Sequence, residues 1–492
     1  MTKFHSIISR RNFMKALGLA GAGIGVAGTT APVFHDLDEL IASPLGGKDL
    51  NQLPWWVKER EHEDPTIEMD WNTIKPYTGW KDWGEGTGKP PFDRKWMGYM
   101  VDPGAWQQNV EWRKNKFPGW DPGHYGVGDQ REDALRYAAT TGSYGVYENA
   151  NKPGEMVSIS GLHGVEGMHF LEYLPEYTSE WPKWEGTPED NLRMVRAVVH
   201  FFGGSSVGAL EITDNIKKLF YKYQMDPKPS TGVPDGRCEL SWEDVDKGYY
   251  TTKQDKLVVP NKCQWVMTYT INLPQNRFKR STSPGLDPAS NVFYPMQIFI
   301  GGRIQNFFKG LGYQALGGSI NLWGPGGAWG NMSGLGEQGR HAAMISVKYG
   351  SGTKGDNRNV VDLPLAPTRP VDAGIHRFCE TCGICINTCV TDAIQKGPPT
   401  WDSGRWNNVQ GYKGYRIDWS NCSACTNCQV YCPFFRMSDA SWIHSIVRST
   451  VATTPVFNGF FRNMEEVFDY GSKGNLDEWW NSPGDVFGFS KG

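Results

Sequence analysis

Eight of the ten cysteines fall into two runs of one spacing, C-x2-C-x2-C-x3-C: Cys379, Cys382, Cys385 and Cys389, then Cys422, Cys425, Cys428 and Cys432. A cubane iron–sulfur cluster needs four thiolates converging on its corners; a tight loop supplies three, and the fourth arrives from elsewhere. Two such runs predict two 4Fe-4S clusters. Zinc sites favour two separated Cys pairs, and disulfides at these short separations would be strained, so neither suits the pattern. The second run closes in Cys432-Pro433, whereas Val390 stands where the first would carry proline; this changes the exit turn and removes no ligand. The insertion 395–421 carries Trp401, Trp406, Tyr412, Tyr415 and Trp419, enough aromatic surface to cover one cluster. Cys238 and Cys263 stand apart and read as buried thiols rather than a disulfide.

Clusters exchange single electrons, so two in series make a wire, and the segment ahead of Cys379 must hold what the wire feeds. Over 190–202 an amphipathic helix is expected, with Leu192, Val195, Val199 and Phe202 near helical spacing. Gly203 and Gly204 end it, and 205–212 reads as a short strand. Thr213-Asp214-Asn215 then caps a helix carrying Lys217, Lys218 and Tyr221. A second strand is expected at 264–271, and a long apolar helix at 293–311 leads into Gly312-Tyr313-Gln314-Ala315. Strands separated by helices imply a mixed α+β or α/β sheet domain, of which α+β is the fold class adopted. The stretch 317–339 holds nine glycines, including Gly324, Gly326, Gly327, Gly334 and Gly336. Backbone of that kind can approach a large flat ligand closely and present N–H groups to amide or phosphate oxygens.

The bulk numbers narrow the class. Lysine plus arginine total 50 against 53 acidic residues, a formal net charge of −3, which leaves no electrostatic footprint for nucleic acid. Past residue 31 no apolar run approaches the ~20 residues of a membrane-spanning helix. Nine of the 21 tryptophans lie between Trp55 and Trp120, in a segment rich in Pro and Gly. That segment reads as a loop-rich layer held by large side chains, whose rings are also suited to line an apolar pocket. The opening Ser9-Arg10-Arg11-Asn12-Phe13-Met14-Lys15, followed by a Gly- and Ala-rich run over 16–31, resembles a twin-arginine signal, which implies export of a protein folded around its cofactors. Gly23, Gly25 and Gly28 satisfy G-x-G-x-x-G, but no strand precedes them, so a dinucleotide site is excluded.

The ordered combination of this leader, Pro54-Trp55-Trp56-Val57-Lys58-Glu59, Gly312-Tyr313-Gln314-Ala315, Gly334-Leu335-Gly336-Glu337 and the terminal cluster pair resembles the catalytic subunit of respiratory reductive dehalogenases, over nearly the whole chain. The resemblance implies a base-off corrinoid in a nitroreductase-like domain, followed by a ferredoxin-like two-cluster domain. The D-x-H-x-x-G pattern that supplies a histidine to cobalt is absent, since Asp121-Pro122-Gly123-His124 has the wrong spacing. By likeness to bacterial ferredoxins, in which the fourth Cys of each run serves the other cluster, one cluster takes Cys379, Cys382, Cys385 and Cys432 and the other Cys422, Cys425, Cys428 and Cys389. The implied activity is two-electron removal of halide from a chlorinated alkene or arene in anaerobic respiration. Tyr221 resembles the family's proton donor, with Arg303 as its cation and Asn272 orienting substrate or halide. The expected partners are a small halogenated substrate, a small integral-membrane anchor protein and a membrane-linked electron donor, at the outer face of the cytoplasmic membrane. The expected domains are a signal over 1–31, or to 42, a Trp-rich layer over 45–160, a corrinoid and substrate domain over 161–365 and a cluster domain over 366–440. A C-terminal segment over 441–492 is expected to pack on the corrinoid domain. The rival readings are an epoxyqueuosine-reductase-like corrinoid enzyme, disfavoured by the leader and the lack of a basic surface, and an exported electron carrier, disfavoured by the length preceding Cys379.

Overall fold

Four antiparallel strands organise the segment ahead of the cysteines: β1 (Val207–Glu211), β2 (Trp265–Asn272), β3 (Ala315–Gly317) and β4 (Thr353–Val361), in the order β3-β4-β2-β1. The computed structural model describes residues 53–54, 56–76, 103–116, 146–148, 156–158, 183–225, 237–251, 256–280, 287–317, 323–403, 409–435, 442–468 and 479–480. All lie in one compact unit, Pro44–Gly492. The expected leader and much of the Trp-rich layer fall outside the described residues.

Side chains alternate across a strand, so each strand feeds two cores. On one face Val207, Ala209, Met267, Tyr269, Ile271 and Val361 meet two helices, α1 (Pro188–Phe201) and α3 (Phe293–Gly310). On the other, Leu210, Val266, Leu316 and Val360 meet Phe220, Trp323 and Trp329. Each fully buried apolar side chain contributes roughly 1.5–3 kcal/mol, so both faces are fixed. A register shift between Tyr269 and Ile271 bends the β2–β4 pair near its end.

The helices obey their own end signals. Thr187 caps α1 by accepting from the Asp190 N–H at 3.2 Å, with Pro188 at the first position. Thr213 likewise accepts from the Ile216 N–H at 3.2 Å to start α2 (Asp214–Lys217). That helix has only four residues, so Tyr221 lies beyond it in irregular chain rather than on a helix face. α4 (Gly326–Met332) crosses the second core through Trp329 and Met332. A second sheet, ordered Tyr223–Met225, Arg237–Glu243, Lys256–Pro260 and Tyr249–Thr251, adjoins that core through Leu257 and Val259.

Cysteine-bearing helices follow: α5 (Ile375–Cys382), α6 (Ile384–Asn387) and α7 (Asn427–Val430). They are not a loose appendage, because Val430 and Phe435 belong to the first core, with the Phe435 ring 5.6 Å from that of Phe278. α8 (Trp442–Thr453) and α9 (Asn458–Phe468) place Val451 and Phe461 against Ile375 and Phe378. The C-terminal helices thus cover the apolar face of α5 in one hydrophobic group with Ile345 and Val347, and Arg277 lies 5.4 Å from the Trp479 ring centre, so the segment also meets the part of the chain ahead of the cysteines. Among the described residues no helix is long and apolar enough to cross a membrane.

Candidate functional site

The glycine-rich run becomes a strap that builds the cysteine site. After α4 the chain turns at Gly334 (φ +74°) and forms a hairpin of Gly336–Gln338 with Met344–Ser346. Gly324, Gly334 and Gly336 face the backbone carbonyls of Leu219, Arg369 and Ile345, which a Cβ would overlap. Their glycine character is therefore used by protein backbone, and Gly334 also lines a cleft of about 430 Å³. Gly326 and Gly327 open α4, and the nearest atom to a Cβ at Gly327 is the Met344 nitrogen at 3.9 Å.

From that hairpin four side chains reach the cluster segment. Glu337 is buried and accepts from Ala373 N–H at 2.5 Å, Ile375 N–H at 3.3 Å and His376 N–H at 3.0 Å, which caps the start of α5. Burial and Asp372 push its carboxyl up, against those three donors. We predict that Glu337→Ala destabilises the fold by on the order of 3 kcal/mol, since three buried donors lose their acceptor, with Glu337→Gln milder; denaturant titration reads the difference. Gln338 accepts from Tyr415 N–H at 3.2 Å. Arg340 donates to the Cys379 carbonyl at 2.7 and 2.9 Å and to Gly397 O at 2.8 Å, while its guanidinium lies 4.4 Å from the Tyr415 ring centre. His341 is buried, and desolvation lowers its pKa to about 4, so the ring is neutral.

Cys379 and Cys382 project from α5, a left-handed turn at Gly383 starts α6 with Cys385, and Cys432 arrives from beyond α7. These four thiols line one small void of about 20 Å³, walled also by Arg340, His341, Phe378 and Phe434. Cys432 thus stands with the first three thiols of the other run. Cys389, Cys422 and Cys428 gather with Cys385, Ile394 and Ile417, and Trp419 covers them, so the insertion does shield that side. Cys425 is also buried, within electrostatic reach of Cys422 and Cys428. Backbone N–H groups of Ala393 and Ala424 point at Cys389 Sγ (3.2 Å) and Cys422 Sγ (3.4 Å). Burial raises the thiols, Cys382 to about 11 and Cys385 and Cys422 to about 12, so metal must displace protons on entry. Among the described residues no three His, Cys, Asp or Glu stand close enough to hold a single metal ion. Ligands of a cubane are spread over its corners and stand farther apart than ligands of one ion.

The second face of the sheet carries the other candidates. Thr268, Thr270 and Asn272 alternate on β2 with the first-core residues Met267, Tyr269 and Ile271, and Arg358 is paired with Thr268. Arg358 donates to Gly324 O at 2.6 Å and acts electrostatically on Tyr221. Burial raises the Tyr221 phenol to about 12, with Arg358 pulling the other way. Arg303 does not serve this tyrosine. It is exposed on α3, whose Ile300, Ile304 and Phe308 face the opposite core, and its guanidinium lies 3.6 Å from the Phe299 ring centre. Asn272 is half-buried and accepts from Thr353 Oγ1 at 3.4 Å.

A cleft of about 430 Å³ opens near this face, lined by Ser206, Ser333 and Thr368 together with Arg196, Lys348 and Arg369. Val347 forms part of its wall and shares a hydrophobic group with Cys382 and Cys432. One apolar layer therefore joins the cleft to the four-thiol void. Glu337, Arg340, His341 and Arg358 were not anticipated; the legible signal for the first three was a charged and polar quartet inside an otherwise Gly-rich run.

Comparisons with known proteins identify the family. A family model described as reductive dehalogenase subunit matches residues 166–365. The chain is 42% identical to the trichloroethene reductive dehalogenase of Dehalococcoides mccartyi, covering 99% of both chains. The chain belongs to the reductive dehalogenase family. A second relative of this reductive dehalogenase, the chloroethene reductive dehalogenase of Dehalococcoides mccartyi strain VS, is also 42% identical, with 100% of each chain covered. Among solved structures, a catabolic reductive dehalogenase, NpRdhA, shares the fold with a TM-score of 0.51 at 17% identity. That match covers 85% of this chain and spans about half, 50%, of the other. Reductive dehalogenases are oxidoreductases acting on carbon–halogen bonds, and this chain is an enzyme of that class.

Proposed function

We propose that this reductive dehalogenase removes halide from a chlorinated alkene in anaerobic respiration, using two 4Fe-4S clusters and a base-off corrinoid. The observation that carries the reading is the convergence of Cys379, Cys382, Cys385 and Cys432 on one void, joined by Val347 to a polar-lined cleft. Relatives 42% identical over the whole length are named for trichloroethene and chloroethene, which favours an alkene over an arene. The same whole-length match disfavours an epoxyqueuosine-reductase-like activity and a bare electron carrier.

The residues present fit both groups. Eight thiols in two gatherings are the donor set of two cubanes. Hydroxyls of Ser206 and Thr368 with the cations of Arg196, Lys348 and Arg369 match the amide and phosphate groups around a cobamide. When bound, a corrinoid supplies the low-valent metal chemistry that breaks a carbon–halogen bond, which amino-acid side chains do not. The chain itself holds the proton at the Tyr221 hydroxyl, and Arg358 favours the phenolate left when it is given up. Asn272, on the same face, orients substrate or halide. Cys389, Cys422, Cys425 and Cys428 would hold the cluster on the side of the outer donor and the Cys379 set the cluster nearer the cleft, the pair supplying single-electron transfer between them.

In architecture the four-stranded unit is read as a nitroreductase-like domain over 161–365, and α5 to α7 as a ferredoxin-like domain over 366–440; their paired short helices, each bearing cysteines, support this. The Arg10-Arg11 leader supports export by the twin-arginine route, with a small integral-membrane protein and a membrane-linked donor as partners. The direct test is chloride release. Protein reconstituted anaerobically with iron, sulfide and cobamide, and given reduced viologen, should release chloride from trichloroethene or chloroethene and not from chlorobenzene. Loaded protein that releases none from any chloroethene rejects the proposal.

A further inference from the structure

The void among Cys379, Cys382, Cys385 and Cys432 has one polar ring in its wall whose hydrogen bonding is incomplete. His341 is 4% exposed, and its Nδ1 accepts from the Ala343 N–H at 3.3 Å. A ring nitrogen that accepts carries no proton, so in the neutral ring the proton resides on Nε2. Nε2 is buried and has no hydrogen-bond partner among the described residues. A buried N–H left without an acceptor is costly and asks for one. Ile345, Phe378 and Phe434, which share the wall, offer none, and Arg340 beside it is a donor already committed to the carbonyls of Cys379, Gln395 and Gly397. Among the side chains of that wall, the cysteine sulfurs are what remains.

We infer that His341 is a potential-setting residue, its Nε2–H donating to a sulfur of the cluster held by Cys379, Cys382, Cys385 and Cys432. The inference rests on the proposed cluster assignment. A hydrogen bond to a cluster sulfur stabilises the more negative, reduced state and so raises the reduction potential. The other gathering, around Cys389, Cys422 and Cys428, receives backbone N–H groups from Ala393 and Ala424. A donor from His341 raises the potential of the cluster that adjoins the cleft and so draws electrons towards it.

The test is a redox titration of the reconstituted holoprotein followed by electron paramagnetic resonance. His341→Phe, which keeps an aromatic ring and removes the donor, should shift one cluster's reduction about tenfold towards the oxidised form, ~59 mV for a one-electron couple. The second cluster should not move. His341→Gln, which retains an N–H donor, should recover much of the shift, a rescue that a merely space-filling role would not show. A second readout needs no variant: histidine labelled with nitrogen-15 should alter the nitrogen couplings in the pulsed spectrum of the reduced unsubstituted protein. Unchanged potentials in fully loaded His341→Phe, or no histidine nitrogen coupling in the unsubstituted protein, overturns the assignment. A chain that takes up no cluster on the Cys379 set rejects the cluster assignment and this inference together, which separates the two failures.

Discussion

Replacing Cys432 by Ala should remove the cluster held by Cys379, Cys382 and Cys385 and leave the cluster of its own run loaded. Iron content falls by about half, since one of two cubanes is lost, and dehalogenation falls to background because the relay is cut. The expectation follows from where the thiol lies. Cys432 closes the void among the first three cysteines of the other run, and it belongs with Cys382, Phe378 and Phe434 to one hydrophobic group. Its run-mates Cys422 and Cys428 gather instead with Cys389. The reciprocal variant, Cys389→Ala, should spare the Cys379 set and empty the other. Were ligands drawn within each run, the two variants would exchange these outcomes. Resonance spectra of the reduced proteins, with iron and sulfide analysis, tell the cases apart.

Tyr221→Phe should retain both clusters and the corrinoid and lose roughly 10²–10⁴-fold in turnover, the range expected when a positioned proton donor is removed. The pH profile carries the sign. Burial raises the phenol to about 12, so the acid form persists well above the ordinary ~10 of tyrosine, and no alkaline fall in rate from this group should begin near pH 10. Arg358 acts in the opposite direction, favouring the phenolate. Arg358→Gln should therefore raise the phenol further and slow proton donation, while Arg303→Gln on the far side of the sheet should leave turnover unchanged. Full activity in Tyr221→Phe would remove this residue from the chemistry.

The readability of this chain from sequence followed the range of the interactions involved. The cysteine runs were legible because ligand spacing is local, and the helix around Phe293 and the strand ending at Asn272 were legible because periodicity is local too. The start of α2 was also legible, since Thr213 caps a turn only three residues on. Arg303 was misplaced for the converse reason. A helix pattern gives the buried side but not which face of a sheet will receive it, and α3 packs on the face away from Tyr221. Arg358 was overlooked because its alignment with Thr268 depends on β2–β4 register, including a bulge that no run of residues announces. The glycines around Gly336 were recognised as close-approach positions, but the approaching partner is the Ile345 carbonyl, on the hairpin's own returning strand.

Val430 and Phe435, which flank Cys432, are buried in the core that also holds Ile271 and Phe278. A fragment cut at the ends of the cysteine block would therefore tear out part of the neighbouring interior and expose apolar surface on both pieces. Grafting this block onto another enzyme as a ready-made conductor is accordingly ruled out unless that part of the interior is transplanted with it.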